Sequence, residues 1–251
     1  MMLMKTHPAT LSGHVFMPEI PLVPDHLRIY AVGDIHGRLD LLQRLQAAID
    51  EDVATHPGPE VIEIYLGDYV DRGSHSAQVL DTLIERRRSR RMICLSGNHE
   101  AVMADALDSP GNFGRWLRMG GLETVASYIG PLRDLDETAM WEKWREAVKP
   151  EHVAFLRELP VRFACGDYAF VHAGVRPGLP LEAQRREDLM WIRREFLNHQ
   201  SSFGHCVVHG HTPSKEPEVL SNRINIDTGA YATGRLTCLV LEGADRFMIS
   251  T

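Results

Sequence analysis

The sequence predicts an α/β fold in which two mixed β-sheets pack face to face and helices flank them. In roughly the first hundred residues, short apolar runs alternate with amphipathic helical stretches, a pattern typical of βαβ units in a largely parallel sheet. From about residue 161, strand-like runs predominate, which favours a second sheet. Five of the runs end in polar loops, so we expect a functional site at the carboxyl ends of the strands.

The N-terminal segment, residues 1–27, has four prolines and no sustained periodicity, so we interpret it as an irregular arm before a domain over 28–251. Three strand–helix units follow, and their order is the one that parallel pairing requires. The strands are predicted at 28–32, 61–66 and 91–95, and the helices over 39–49, over 76–87 and up to Met103.

The middle of the chain, from about 108 to 160, has no strand signal, and its apolar and aromatic residues recur at helical spacing. We predict a helical insertion over the rim of the sheet, with its aromatic side chains in the core. Beyond it, Gly166 and Asp167 are expected to form a hairpin turn, and a helix is expected around 189–196. The remaining strands are predicted at 161–165, 168–171, 206–208, 223–226, 236–241 and 247–249.

The composition argues against several classes of protein. The chain has 251 residues, 44% of them hydrophobic, and no apolar run reaches the roughly 20 residues that span a bilayer, so we expect no membrane partner. Four cysteines lie in apolar runs without CxxC spacing, which predicts buried free thiols and a cytoplasmic location. The net charge of −7 argues against a nucleic-acid partner, and the basic run at 86–91 is interpreted as a solvated helix end.

Metal-binding residue types occupy the five polar loops. The loops read GDIHG at 33–37, GDYVDRG at 67–73, SGNHE at 96–100, HAGV at 172–175 and HGHT at 209–212. Each alone has an ordinary explanation, since an Asp-x-His is usually a turn, Asn98 could cap a helix, and His172 could be a core histidine. Because all five follow strands whose ends converge, the set predicts a metal site.

The donor types indicate which ions would bind. Carboxylate, imidazole and amide donors without a thiolate suit transition metals better than Ca²⁺ or a structural zinc. We expect two divalent ions, with Mn as the expected metal and Fe, Zn or Ni as alternatives. Two metals about 3.5–4 Å apart need a shared anionic ligand, and Asp68, at the end of the middle strand, is the natural bridge.

The ordered motifs resemble the metallophosphoesterase superfamily, and most closely its phosphoprotein phosphatase family, including the small bacterial and phage enzymes. The resemblance covers Arg28 to the C-terminus and implies a calcineurin-like β-sandwich. It implies that Asp34 and His36 hold the first ion and that Asp68 bridges. It assigns the second ion to Asn98, His172 and His211, leaving His209 just outside the ligand set.

The same resemblance implies roles in catalysis. Arg72 and Arg193 would clamp the phosphate, although the adjacent Arg194 could take the role of Arg193. His99 would protonate the leaving group, and Asp71 would orient His99 and raise its pKa. A water between the two ions, its pKa lowered by them, would be the nucleophile. Glu100 is expected to serve the helix N-terminus, and Asp227 to lie near the ligands without binding a metal.

The expected function is hydrolysis of phosphoserine or phosphothreonine in proteins, because Asp71 and Glu100 follow the protein-phosphatase pattern. The alternative is symmetrical hydrolysis of diadenosine tetraphosphate, since those hydrolases share the metal motifs and a stretch similar to Asp227-Thr228-Gly229. Small phosphomonoesters are further candidate substrates. A non-catalytic phosphopeptide-binding module is disfavoured, because no expected ligand is missing.

Overall fold

The computed structural model describes residues 20–251, so most of the predicted N-terminal arm lies outside the described residues. Ten strands are present in this part of the chain. They are β1 (Leu27–Val32), β2 (Glu60–Tyr65), β3 (Met92–Cys94), β4 (Arg162–Cys165), β5 (Tyr168–Val171), β6 (Cys206–His209), β7 (Glu218–Val219), β8 (Arg223–Asn225), β9 (Thr237–Glu242) and β10 (Asp245–Ser250).

The helices lie mostly between the strands of the first half and between β3 and β4. They are α1 (Leu39–Thr55), α2 (Ser76–Arg86), α3 (Asn98–Asp108), α4 (Pro110–Trp116), α5 (Leu122–Ile129), α6 (Glu137–Ala147), α7 (Pro150–Glu158), α8 (Arg186–Trp191), α9 (Arg194–Leu197) and α10 (Ala230–Thr233). A π-helical turn, Leu117–Gly121, joins α4 to α5. Helices α4 to α7 occupy the region of the predicted insertion, whose limits stay a prediction.

The strands form two mixed sheets of five, which confirms the predicted fold. The first has the order β10-β9-β1-β2-β3, and the second has the order β4-β5-β6-β8-β7. Pairing is parallel from β1 to β3 and from β5 through β6 to β8, and the hairpin of β4 and β5 is antiparallel. The carboxyl ends of the parallel strands of each sheet therefore lie along one edge of that sheet.

Burial of apolar side chains holds the two sheets together. One cluster contains Ile29, Ile64, Phe170, Val208 and Leu239, which come from both sheets. A second cluster packs the inward faces of α1 and α2 and the helices after β3 against the other face of the first sheet. The sheet interior thus fixes the positions of the strand ends that carry the polar loops.

Two local predictions are wrong. The basic run is not simply solvated, because Arg86 Nε and Nη2 each donate at 2.7 Å to Glu63, a buried residue of β2. The helix expected around 189–196 is two helices, since Ile192 (ψ 142°) and Arg193 (φ −132°, ψ −90°) leave the helical region. The break leaves Arg193 exposed beside the loop after β6.

Among the described residues, none of the helices is long and apolar enough to cross a membrane. The four cysteines carry free thiols, three of them buried, as predicted.

Candidate metal centre

Two groups of side chains that could each hold a metal ion share Asp68. His36, Asp68 and His99 form one group, and Asp68, His172 and His211 form the other, with all ligand atoms of a group within 4.8 Å of one another. All five side chains are buried. They come from loops after five different strands, so the convergence predicted from the sequence is present in the structure.

The loops adopt backbone conformations that non-glycine residues rarely take. Of the six non-glycine residues with positive φ in the described chain, five belong to the predicted site: His36, Asp68, Asp71, Arg72 and His211. Such conformations persist only where the surroundings enforce them. The backbone carbonyl of Asp68 accepts hydrogen bonds from the N–H groups of Ile35 and His36, at 3.0 and 2.8 Å, which ties the first two loops together.

Glycines in these motifs allow close approach of the carboxylates. A Cβ atom on Gly97 would lie 2.2 Å from Asp68 Oδ1, and one on Gly210 would lie 2.0 Å from Asp34 Oδ1. Any side chain at either position would therefore displace a proposed ligand.

Hydrogen bonds to backbone carbonyls set the tautomers of two histidines. Nδ1 of His36 donates to the carbonyl of Val70 at 2.9 Å, and Nδ1 of His172 donates to that of Leu66 at 3.0 Å. The lone pair on Nε2 of each ring is then free to bind a metal. Nε2 of His172 lies 3.3 Å from Asp68 Oδ1, 3.0 Å from Asn98 Oδ1 and 3.2 Å from His211 Nδ1.

Burial keeps two of the imidazoles in their metal-binding, neutral form. It lowers the pKa of His36 to about 3 and that of His211 to about 2. Nε2 of His211 is buried without a hydrogen-bond partner among residues 20–251. Burial also raises the pKa of Asp34, and repulsion from Asp227 adds to the shift. Closely packed donors of this kind fit divalent cations, whose identity as Mn stays a prediction.

Asp34 and Asn98 lie beside these groups in different ways. Asn98 is placed where the sequence predicts, with its Oδ1 next to Nε2 of His172. The carboxylate of Asp34 accepts from the backbone N–H of His211, at 3.1 Å to Oδ2, and belongs to neither three-residue group. Its predicted role with His36 on the first ion stays a prediction.

His99 and Asp71 form a buried pair next to the predicted metal ligands. Nδ1 of His99 lies 2.6 Å from Asp71 Oδ2, and Nε2 lies 3.3 Å from Nη2 of Arg72. Burial opposes protonation of His99, but the charge of Asp68 and the hydrogen bond to Asp71 raise its pKa to about 9. Its charged form can donate a proton from Nε2, which suits the predicted general acid.

The helices after β3 hold Asp71 in place, a feature that sequence reasoning missed. Trp116 Nε1 donates to Asp71 Oδ2 at 2.9 Å, and Thr124 Oγ1 donates to Oδ1 at 2.7 Å. The backbone N–H of Arg72 donates to the carbonyl of Gly120 in the π-helical turn, at 3.0 Å. The only signal in the sequence is that a buried indole N–H needs an acceptor.

The two predicted phosphate-binding arginines lie at the rim of the site. The guanidinium of Arg72 stacks 4.7 Å above the ring of Tyr231, another residue that sequence reasoning missed. Arg193 Nη2 lies 3.4 Å from the carbonyl oxygen of His211, whereas Arg194 makes no side-chain hydrogen bond in the described chain. The geometry favours Arg193 over Arg194 for the predicted role.

Three nearby residues support the loops. Glu100 accepts hydrogen bonds from the backbone N–H groups of Gly97, Asp68 and Tyr69, at 2.9, 2.8 and 2.7 Å. His209 lies 3.3 Å from Arg223 Nη1 and packs edge-on against Phe196. Asp227 accepts from the N–H of Gly229 at 2.9 Å.

The sequence profile of the calcineurin-like phosphoesterases matches residues 27–238. This chain belongs to the calcineurin-like phosphoesterase family. Family membership makes it a metal-dependent phosphoesterase. It does not establish the phosphoprotein substrate expected from Asp71 and Glu100.

Known proteins similar to this calcineurin-like phosphoesterase include a nucleotide hydrolase. The asymmetrical bis(5'-nucleosyl)-tetraphosphatase PrpE of Anoxybacillus flavithermus is 28% identical over 232 residues, which cover 83% of this chain and 88% of the relative. A crystal structure provisionally named a diadenosine tetraphosphatase superposes with a TM-score of 0.62 at 19% identity, covering 92% of this chain and 96% of that one. A serine/threonine phosphatase from Saccharomyces cerevisiae gives 0.53 at 13% identity over 90% and 80% of the two chains. The two structures establish similarity of fold.

Proposed function

We propose that this calcineurin-like phosphoesterase hydrolyses dinucleoside tetraphosphates asymmetrically, to a nucleoside triphosphate and a nucleoside monophosphate. The observation that carries this proposal is the relative of that name, whose alignment covers 83% of this chain and 88% of the relative. The proposal replaces the phosphoprotein substrate expected from the sequence and differs from the symmetrical cleavage considered as its alternative.

The proposed site would hold two divalent ions. Asp34, His36 and Asp68 would bind one, and Asp68, Asn98, His172 and His211 would bind the other. When bound, the ions would lower the pKa of a shared water and neutralise charge on the reacting phosphate.

The side chains around the ions perform the remaining tasks. Arg72 and Arg193 offer guanidinium donors at the rim of the site, where they orient a phosphate and stabilise negative charge on its oxygens. His99, protonated and held by Asp71, donates the proton on Nε2 to the leaving phosphate oxygen. Water attacks phosphorus and releases a proton to solvent, the phosphoanhydride bond breaks, and the two nucleotides are released.

Hydrolysis of phosphoproteins is the second candidate, and the His99–Asp71 pair favours it. A serine alkoxide is a far poorer leaving group than a nucleotide phosphate, so its departure depends more strongly on an acid. Glu100 no longer supports this candidate, because its carboxylate binds backbone N–H groups and organises the loops. It therefore carries no direct information about substrate.

A comparison of substrates tests the proposal. The enzyme, loaded with Mn, would be assayed on diadenosine tetraphosphate and on a panel of phosphoserine peptides, with products separated by ion-exchange chromatography. We expect a preference for the dinucleotide and equal amounts of ATP and AMP. The Asp68→Asn variant, purified in parallel, controls for contaminating hydrolases.

Two results would overturn the proposal in different ways. A higher kcat/KM on phosphoserine peptides would restore the phosphoprotein substrate. Formation of two ADP molecules from each dinucleotide would establish symmetrical cleavage.

A further inference from the structure

A cleft of about 510 Å³ opens beside the metal centre. Residues of α3, α4, α7 and α8 line it, and none of them has a role in the chemistry described above. The charged and aromatic side chains of its lining are Arg115, Arg157, Arg186, Trp191, Asp105 and Glu187.

The cleft reaches the second group of ligands at two points. The ring of Trp191 lies 6.2 Å from the ring of His211, centroid to centroid. Nη2 of Arg186 lies 3.4 Å from Ser96 Oγ, in the loop that leads to Asn98. A substrate whose reacting phosphate is at the metal centre can therefore extend into the cleft.

Two of the three arginines that line the cleft have no carboxylate partner among residues 20–251. Arg157 forms an ion pair with Asp108 at 2.7 Å. In the described chain, no carboxylate lies within 4.0 Å of the guanidinium of Arg115 or of Arg186, although both line the same cleft as Asp105 and Glu187. In a protein with a net charge of −7, two unpaired arginines in one cleft are suited to an anionic ligand.

Trp191 adds an aromatic surface at the mouth of the cleft. It is 38% exposed, whereas Trp116 and Trp144 are fully buried. An exposed indole next to guanidinium groups is the combination that binds nucleotides, because bases stack on aromatic faces and phosphates pair with arginine.

We infer that this cleft binds the nucleotide distal to the reacting phosphate, with Arg115 and Arg186 on its phosphates and Trp191 against its base. The inference rests on the proposed function and goes beyond it, since it assigns a binding site for the half of the substrate that is not attacked. A small phosphomonoester such as p-nitrophenyl phosphate does not extend into the cleft.

The test compares two substrates in one double variant, Arg115→Gln/Arg186→Gln. The measured quantity is the ratio of kcat/KM for diadenosine tetraphosphate to kcat/KM for p-nitrophenyl phosphate, with Mn-loaded enzyme. We expect the ratio to fall by about tenfold for each guanidinium removed, because each charge-assisted contact to phosphate is lost.

The matched control is Arg44→Gln/Arg246→Gln, which removes the same charge. Both residues are exposed arginines without a carboxylate within 4.0 Å in the described chain, and neither lines the cleft. Arg246 pairs with Leu241 on β9, toward the end of the sheet away from the metal centre. We expect the ratio to stay at the wild-type value, which separates a local site from a general loss of positive charge.

Failure of the inference is distinguishable from failure of the proposed function. If the wild-type enzyme cleaves diadenosine tetraphosphate and both double variants keep its ratio, the cleft is not the distal site. An equal fall in the two variants also overturns the assignment, because it shows only long-range attraction. If the wild-type enzyme hydrolyses p-nitrophenyl phosphate but no dinucleotide, the proposed function and the inference both fail.

Discussion

Two clusters of buried ionisable side chains differ in where their positive charge comes from. In the cluster between β2 and α2, Glu63 accepts hydrogen bonds from Arg86 at 2.7 Å and from the hydroxyl of Tyr65 at 2.9 Å. Asp50 accepts from the same guanidinium at 2.9 Å, and Gln46 donates to Tyr65 at 3.2 Å. This cluster contains the cation that its carboxylates need.

The metal centre has no arginine or lysine in the position that Arg86 takes in the first cluster, although His99 lies 3.8 Å from Asp68. Asp34, Asp68, Glu100 and Asp227 are each exposed by 2% or less, and no lysine or arginine of the described chain lies within 4.0 Å of their carboxylates. Burying charge without a partner is costly. The comparison distinguishes two kinds of buried carboxylate. Those paired with an arginine stabilise the fold, and those without such a partner are suited to binding a cation from solution.

Of the changes that distinguish the two clusters, chelation of divalent ions should have the largest effect on activity. Thorough removal of divalent ions should lower kcat/KM for p-nitrophenyl phosphate by more than about a thousandfold, because loss of a single donor to a developing anion already costs about a hundredfold or more. Readdition of Mn should restore the rate. Full activity in a metal-stripped sample would mean that the buried carboxylates act without metal.

Replacing one carboxylate in each cluster by its amide should lower kcat in one case and the free energy of unfolding in the other. Asp68→Asn should reduce kcat by about a thousandfold while the protein stays folded. Glu63→Gln should lower the free energy of unfolding by about 3 kcal/mol, since Arg86 loses its principal buried partner, and kcat per folded molecule should be kept. Urea unfolding and steady-state kinetics on both variants measure the two effects. A loss of stability in Asp68→Asn together with a loss of kcat in Glu63→Gln would contradict the distinction between the clusters.

Loosening the support of Asp71 should have an intermediate effect. Thr124→Val removes the donor to Asp71 Oδ1 and should slow hydrolysis of a phosphoserine peptide by about tenfold or more, with less effect on p-nitrophenyl phosphate, whose good leaving group needs less acid. Ser127→Ala, on the same helix but without contact to Asp71, is the control. Equal slowing of both substrates would show that Thr124 has only a structural role.

The smallest effect is expected from His152, a buried histidine that binds Asp81 and Tyr128 away from the metal centre. Burial lowers its pKa below the ordinary 6.5 and outweighs the opposing effect of Asp81. As the pH falls below about 6.5, the unfolded chain takes up the proton first, so stability that is present above this value is lost. His152→Gln should therefore show a smaller decrease in Tm between pH 8 and pH 5.5 than the wild type. If Tm decreases equally in the variant and in the wild type, protonation of His152 does not contribute to the pH dependence of stability.

Much of the fold and the placement of the ligands could be predicted, because both depend on local patterns. Apolar strands and the loops after them are contiguous in sequence, so the convergence of His36 and Asp68, after the paired strands β1 and β2, follows from parallel pairing. Helical periodicity continues through Ile192 and Arg193, which is why the break there was not predicted. The partner of Arg86 was missed because only the folded sheet brings Glu63 next to it.

The support around Asp71 lay beyond sequence reasoning for a similar reason. Trp116 and Thr124 are 45 and 53 positions away from Asp71, in helices whose packing no motif specifies. The substrate was the property that the sequence predicted least well, because the metal ligands are common to phosphoesterases with different substrates. Glu100, used as a substrate signal, proved to bind backbone N–H groups.

Metal stoichiometry tests the central claim, that the buried carboxylates around Asp68 are completed by metal ions. Wild-type protein and the Asp68→Asn and Glu63→Gln variants would be loaded with Mn, freed of excess ion and analysed by elemental mass spectrometry. We expect about two ions per chain in the wild type and in Glu63→Gln, and no more than about one in Asp68→Asn. Wild-type protein that is active but retains no divalent ion would contradict the claim.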